Sequence, residues 1–176
     1  GVVFSARYMG QPVAVKVQEL SLQDQDDLDE LSVEAVLGAS LHHPGLLRTM
    51  AASVYAVSGS GGRSGAGHGG GASGVPAAPH HEVHMVMELM PDGNVLNVFR
   101  DRPVSDACNL LMAASVAEQV AWALDFLHAS CGMLHLDVKG ANVLVRLGAG
   151  GGPGDVVAKL ADFGLTVKRH EASSED

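Results

Sequence analysis

Apolar and polar positions alternate in the first ninety residues and take a helical spacing in the middle of the chain. Short β-branched runs at 2–4 and 13–17 predict two strands joined by a turn at Gly10-Gln11-Pro12. Apolar residues three to four positions apart between 110 and 128 predict a helix that buries one face. Further short apolar runs predict strands at 46–57, 83–89, 133–136, 143–145 and 156–161.

A second helix is predicted after the first two strands. Five acidic residues precede an apolar run that includes Leu31, Leu37 and Leu41. Acidic side chains suit the positive end of a helix dipole, although the same residues could equally form a solvated loop. The helix should end near His43-Pro44, because proline disfavours helical geometry in the residue before it.

Two segments are rich in glycine. Residues 58–79 are almost entirely Gly, Ser, Ala and Pro, and cannot bury enough apolar surface to offset their ordering entropy, so we expect a disordered insertion. Residues 148–154 form a second glycine-rich loop. A metal site at His80, His81 and His84 is conceivable, but no Cys lies nearby and the flanking residues favour an ordinary strand.

Composition narrows the possible classes of protein. With 47% hydrophobic and 18% charged residues among 176, the chain has a globular rather than a disordered composition. A formal charge of −9 without any basic run argues against a nucleic-acid surface. Polar residues within 110–127 argue against a membrane-spanning helix, and no secretory leader is visible. Two cysteines are too few for a disulfide framework, so we expect a cytoplasmic protein.

Candidate catalytic residues occur in a fixed order. Val-Ala-Val-Lys ends at Lys16, Glu34 lies on the predicted helix, and His135-Leu136-Asp137 precedes Lys139 and Asn142. Asp-Phe-Gly follows at 162–164, again after a predicted strand. Each motif alone is weak, since a lone Lys or Glu is usually a solvated charge. Together, in this order, they are hard to obtain by accident.

This ordered set resembles the catalytic domain of protein kinases. The resemblance covers the chain apart from its two glycine-rich segments, and implies an α+β, two-lobed fold. Residues 1–90 would form a β-rich N-lobe, and 91–176 the start of a helical C-lobe that ends in the activation segment. The chain would therefore be a truncated domain. The wording of 135–142 is most similar to the tyrosine-kinase-like group or to the kinases that head MAP-kinase cascades.

The resemblance implies ATP and Mg²⁺ as cofactors, a protein as substrate, and a role for each motif residue. Lys16 would contact the α- and β-phosphates and pair with Glu34. Asp137 would orient the acceptor hydroxyl, and Lys139, more typical of Ser/Thr kinases, would support the transferred phosphate. The metal would be held by Asn142 and Asp162.

The adenine site also follows from the resemblance. Gly1 corresponds to the last glycine of the phosphate-covering loop, and Met87 to the gatekeeper. The backbone from Glu88 to Met90 would hydrogen-bond adenine. The ring itself would lie between Val3, Ala14 and Leu144. Without the polar motifs beside them, these apolar residues would be read as ordinary core.

Two positions depart from the family pattern. Leu136 replaces an Arg that normally pairs with an activation-segment phosphate, so Thr166, Ser173 and Ser174 are expected to be ordinary loop residues. Gly38 replaces an apolar residue one turn after Glu34, so we expect a gap in the packing towards Phe163 and a poorly held helix. An ATP-dependent Ser/Thr protein kinase is the favoured function, and a pseudokinase or truncated nucleotide-binding scaffold is the alternative.

Overall fold

The fold was analysed in a computed structural model, which describes residues 1–20, 34–57, 80–100, 102, 106–150 and 152–169. Three predictions fall outside these ranges: the disordered insertion at 58–79, the acidic helix start before residue 31, and the hydroxyls at Ser173 and Ser174.

The N-terminal part is a four-stranded antiparallel sheet. Its strands, in the spatial order β1-β2-β4-β3, are β1 (Val2–Tyr8), β2 (Gln11–Leu20), β3 (Thr49–Val57) and β4 (His80–Glu88). In β4, buried positions alternate with half-buried ones, which is the pattern of a strand with one face on a core. The predicted strands are confirmed, although β3 starts three residues later and β4 three residues earlier than expected.

The turn between β1 and β2 begins one residue earlier than predicted and is shorter. It consists of Met9 and Gly10, both with positive φ (49° and 80°), while Gln11 and Pro12 already belong to β2. Two central residues with positive φ define the tight hairpin turn whose twist matches that of paired strands. Pro12 is accommodated because it lies near the start of its strand, opposite Arg7.

The remaining part is mainly helical with short strand pairs. Helix α1 spans residues 34–40, and α2 (Val95–Phe99) and α3 (Ala107–Asp125) follow the sheet. One π-turn continues α3 over Phe126–Ser130. Strand β6 (Val143–Leu147) pairs with β7 (Val156–Leu160), and β5 (Met133–Leu134) pairs with β8 (Val167–Lys168). The second glycine-rich loop connects β6 to β7 and contains a 3₁₀ turn, Pro153–Asp155.

The described residues form two apolar clusters. The larger joins α3 to β6 and β7, with Met112, Leu127 and Leu160 almost fully buried. The smaller lies between the sheet and the segment before Phe163, and includes Met85 and Ala161. The β-rich N-terminal sheet and the helical part after it confirm the α+β, two-lobed prediction.

Within the described residues, one helical stretch, Ala107–Ser130, is long and apolar enough to cross a membrane by length and composition. One face packs on the larger core cluster through Met112, Val116 and Ala123. A core helix passes the same test, so the finding is weak evidence for a membrane span. The prediction that this helix buries one face is confirmed, but its other side is not purely polar, because Leu110, Leu111 and Trp122 are exposed.

Candidate active site

Strand β2 and helix α1 bring a lysine and a glutamate together. Lys16 Nζ lies 2.6 Å and 2.7 Å from the two carboxylate oxygens of Glu34, and both side chains are mostly buried. A lysine that donates to both oxygens of one carboxylate fixes the distance between the sheet and the helix. The pair implied by the sequence is therefore formed.

The close approach of α1 to the sheet depends on Gly38, and here the sequence interpretation was wrong. Gly38 leaves no gap, because an added Cβ would overlap the Thr49 hydroxyl and lie 3.1 Å from Thr49 Cβ. Thr49 at the start of β3 is itself buried. The missing side chain is thus what allows the helix to sit against β3 while Glu34, one turn earlier, reaches Lys16.

A loop between β5 and β6 carries a compact polar cluster. Lys139 Nζ donates to Asp137 Oδ2 at 2.7 Å, and Asn142 Nδ2 donates to the same oxygen at 2.8 Å. Asn142 Nδ2 also reaches the Asp137 carbonyl at 3.0 Å. The hydrogen bond from Lys139, followed by that from Asn142, holds the pKa of the Asp137 carboxyl below its usual value. Asp137 is therefore ionised at neutral pH.

His135 fixes the backbone beneath this cluster, a role that sequence reasoning did not assign. Its ring is buried, accepts from the Asp137 N–H at Nδ1 (3.3 Å), and lies 3.2 Å from the Ala161 carbonyl through Nε2. Because Nδ1 accepts, the ring proton belongs on Nε2. Burial lowers the pKa of His135, so the neutral ring is favoured. The His-x-Asp spacing was the available signal, since the bond joins residues two apart.

Asp162 follows β7 and lies beside the same cluster. The hydrogen bond to Asp137 raises the pKa of Lys139, and the negative charges of Asp137 and Asp162 add to that effect. Asp162 has a φ of 70°, a conformation that non-glycine residues rarely adopt and that occurs often at functional sites. Phe163 is buried in the larger core, with its ring 5.6 Å from that of His135.

Several expected adenine-site residues share one face of the sheet. Val3 pairs with Lys16 across β1 and β2, and Ala14 pairs with Met87 across β2 and β4. Directly opposed residues lie on the same face, so these four residues share the face of the lysine. Ala14 and Met87 pack in the smaller cluster together with Met90 and Leu144, whereas Val3 is 60% exposed.

Gly1 does not join that cluster. It lies exposed at the start of β1, next to the Gln18 side chain and the Val17 carbonyl. A cavity of about 370 Å³ at this end of the sheet is lined by Gly1, Val2, Phe4 and 17–19. Its lining includes none of the Asp137 cluster, so we regard it as separate from the candidate active site.

The segment after β4 is anchored by contacts that the sequence did not reveal. The Glu88 carboxylate pairs with Lys159 of β7 at 2.7 Å and accepts from the Arg48 N–H at 2.8 Å. The Glu88 N–H donates to the Arg48 carbonyl, and the Met90 carbonyl accepts from Gly93. The Glu88–Lys159 pair ties the end of the sheet to the helical part, and the contacts of Glu88 with Lys159 and Arg48 join residues too distant in sequence for any local pattern to show.

Leu136, one of the two departures from the family pattern, and Thr166 lie in opposite environments, one exposed and one buried. Leu136 is 62% exposed and has a φ of 61°, so its side chain is not part of the core. Thr166 is buried, and its hydroxyl has no hydrogen-bond partner within the described residues. A buried hydroxyl is a poor acceptor for a modifying enzyme, which agrees with the expectation that Thr166 is an ordinary loop residue.

Comparison with known proteins identifies the family. Residues 1–175 match the protein kinase domain. Dual specificity protein kinase shkB of Dictyostelium discoideum is 30% identical over 167 residues, which are 94% of this chain and 21% of that protein. MAP3K epsilon protein kinase 1 of Arabidopsis thaliana is 26% identical over 93% of the chain and 10% of the relative. Megakaryocyte-associated tyrosine-protein kinase of Rattus norvegicus is 29% identical over 94% and 27%.

The chain thus spans a quarter or less of most of these relatives. Proteins of the matched family use ATP as the phosphoryl donor and Mg²⁺ as cofactor. The match extends over nearly the whole chain, and the ordered motif residues lie within it. The chain therefore belongs to the protein kinase domain family.

Proposed function

We propose that this chain is the ATP-binding part of a protein kinase that phosphorylates Ser or Thr hydroxyls of protein substrates. One observation carries the proposal: Lys139 and Asn142 both donate to a single carboxylate oxygen of Asp137. The closed Lys16–Glu34 pair agrees with it. Both arrangements are what phosphoryl transfer needs, because it depends on positioned charge more than on covalent chemistry.

In the proposed reaction, Asp137 accepts a hydrogen bond from the substrate hydroxyl and holds its oxygen in line with the γ-phosphorus. The new P–O bond forms as the bond to the β-phosphate oxygen breaks, ADP leaves, and the hydroxyl proton passes to the Asp137 carboxylate. A carboxylate with a lowered pKa is a weak base. Orientation is therefore its main contribution. Lys139 neutralises charge on the transferred phosphoryl group.

The donors around Asp137 fit magnesium. Asn142 uses its amide nitrogen for Asp137, which leaves its amide oxygen for another partner, and Asp162 supplies a carboxylate beside the cluster. Amide and carboxylate oxygens are hard ligands that Mg²⁺ prefers, and it takes few of them from protein. Asn142 and Asp162 would hold the ion, which supplies charge neutralisation at the phosphates.

Adenine would lie against the inner face of the sheet. One apolar cluster already contains the residues expected around the base, namely Ala14, Met87, Met90 and Leu144. The Glu88 N–H is used by Arg48, so the Glu88 carbonyl and the Met90 N–H are the groups that we expect to meet the base. The exposed Val3 would cover the ring from the first strand, and Gly1 would belong to the loop over the phosphates.

Lys139, a residue more typical of Ser/Thr kinases, supports Ser or Thr as the acceptor residue. The names of the relatives include dual specificity, MAP3K and tyrosine kinases.

The alternative function is that of a pseudokinase or nucleotide-binding scaffold, which is favoured by the exposed Leu136 in place of Arg. We further propose that the chain is a partial domain, with an N-lobe to residue 90, and that the protein acts in the cytoplasm without binding nucleic acid.

Label transfer tests the proposal. The full-length protein is incubated with radiolabelled Mg·ATP and a generic protein acceptor, and the labelled amino acid is identified after hydrolysis. We expect label on Ser or Thr. Label on Tyr alone would refute the Ser/Thr assignment. Nucleotide binding without any label would favour the scaffold.

A further inference from the structure

The outer face of the N-terminal sheet carries a cluster of ligand-type side chains away from the candidate active site. His80, Glu82 and His84 occupy alternate positions of β4, and Glu19 lies directly opposite Glu82 on β2. Alternation places them on the face opposite Met85, which pairs with Lys16. The kinase chemistry proposed above makes no use of this cluster.

Glu19, His80 and Glu82 converge. Each offers one ligand atom, and these atoms all lie within 4.8 Å of one another. The His80 Nε2 atom is 3.5 Å from Glu82 Oε1. A zinc ion with bonds of about 2.1 Å to tetrahedral ligands holds those ligand atoms about 3.4 Å apart, so small side-chain rotations would close the set.

His84 supports the arrangement from the other side. Its Nε2 lies 2.9 Å from Glu82 Oε2, and its ring packs against Tyr55 of β3 with centroids 4.7 Å apart. The other carboxylate oxygen of Glu82, Oε1, therefore faces His80. A histidine that orients a ligating carboxylate is a common supporting contact around metal sites.

The register gives an independent reason for a cation here. Two carboxylates directly opposite each other on neighbouring strands repel and destabilise the pairing. Glu19 and Glu82 are such a pair, at the end of β2 and near the start of β4. A bound cation would turn this repulsion into a cross-link between the two strands.

We propose that Glu19, His80 and Glu82 form a binding site for a divalent transition-metal ion of the Zn²⁺ class, with His84 orienting Glu82. One imidazole and two carboxylates suit Zn²⁺ or Co²⁺ better than Mg²⁺, which prefers oxygen ligands alone. The site differs from the histidine group considered from sequence, because His81 alternates to the opposite face of β4.

Cobalt titration tests this site. Co²⁺ is added to metal-stripped, full-length protein without nucleotide, and its visible absorption is followed in the wild type, His80→Ala and Glu82→Gln. We expect both variants to bind at least tenfold more weakly than the wild type. Zn²⁺ should displace the Co²⁺, and millimolar Mg²⁺ should not. The matched control is His128→Ala, an exposed histidine in the helical part, which should leave the affinity unchanged.

Two results would overturn the proposal. One is the absence of Co²⁺ binding by the wild type below millimolar concentration. The other is equal affinity in the wild type, His80→Ala and Glu82→Gln. If His80→Ala is misfolded by circular dichroism, Glu82→Gln decides, because it keeps the side-chain shape. A metal-dependent rise in the wild-type melting temperature that is missing in Glu82→Gln would support the site independently of any spectrum.

Discussion

Adding one methyl group at Gly38 should weaken the contact between α1 and β3. In Gly38→Ala the new Cβ would overlap the Thr49 hydroxyl, and Thr49 Cβ lies only 3.1 Å away. Overpacking of this kind costs about 1–3 kcal/mol, whereas alanine favours a helix over glycine by about 1 kcal/mol. The net cost is therefore about 0–2 kcal/mol. The helix can relieve the overlap by moving away, which separates Glu34 from Lys16.

At the middle of that range, about 1 kcal/mol, the equilibrium constant between the closed and the open pair falls about fivefold. We expect kcat/KM for ATP, measured in the full-length protein, to fall by up to about the same factor. Thr49→Ala removes the hydroxyl, so the double variant should recover most of the loss, and a double-mutant cycle gives the coupling. Gly154→Ala is the control, because nothing lies within 4 Å of the added Cβ. Unchanged activity together with raised stability in Gly38→Ala would refute the reasoning, as would a double variant no better than Gly38→Ala.

Three further predictions concern other contacts. Glu34→Gln leaves Lys16 mostly buried without its carboxylate, so kcat/KM for ATP should fall at least tenfold while the acceptor KM stays unchanged; an effect below twofold would contradict the pair's role. Burial, and then the charge of Lys159, lower the pKa of His43, so its stabilising effect is present above the unfolded value of about 6.5 and is lost as pH falls below it. As the pH falls from about 7 to about 5.5, the free energy of unfolding of His43→Gln should accordingly decrease less steeply than that of the wild type, and equal slopes would be contrary to this account. Gln119 bonds two backbone groups of β7, so Gln119→Ala should lower the free energy of unfolding by about 1–3 kcal/mol in urea, and a neutral result would show that water replaces both bonds.

Local patterns predicted the elements because each depends on neighbouring residues. The alternation in β2 and β4 and the three-to-four spacing in α3 follow from which face is buried. Leu136 shows where this fails: an apolar run predicted a strand over 133–136, but β5 contains only Met133 and Leu134. Leu136 has positive φ, which the loop requires and which apolar character cannot indicate.

Local sequence patterns could not predict contacts between residues that lie on different elements of the fold. Gly38 looked like a defect because its partner Thr49 lies eleven residues away on another element, and only the close approach of the two explains the missing side chain. The Glu88–Lys159 pair joins the end of the sheet to β7 and has no local signal. The Asp137 cluster, by contrast, could be predicted because its three residues, Asp137, Lys139 and Asn142, lie within a stretch of six residues.

The rate of phosphoryl transfer by Asp137→Asn tests the central claim most directly. The substitution keeps the shape of the side chain and removes the charge that orients the acceptor hydroxyl. We predict that single-turnover transfer from Mg·ATP in the full-length protein falls at least a hundredfold, within the range of about 10²–10⁴ for such groups, while Mg·ATP affinity changes by less than about threefold. Wild-type transfer that persists at the same rate in Asp137→Asn would contradict the account.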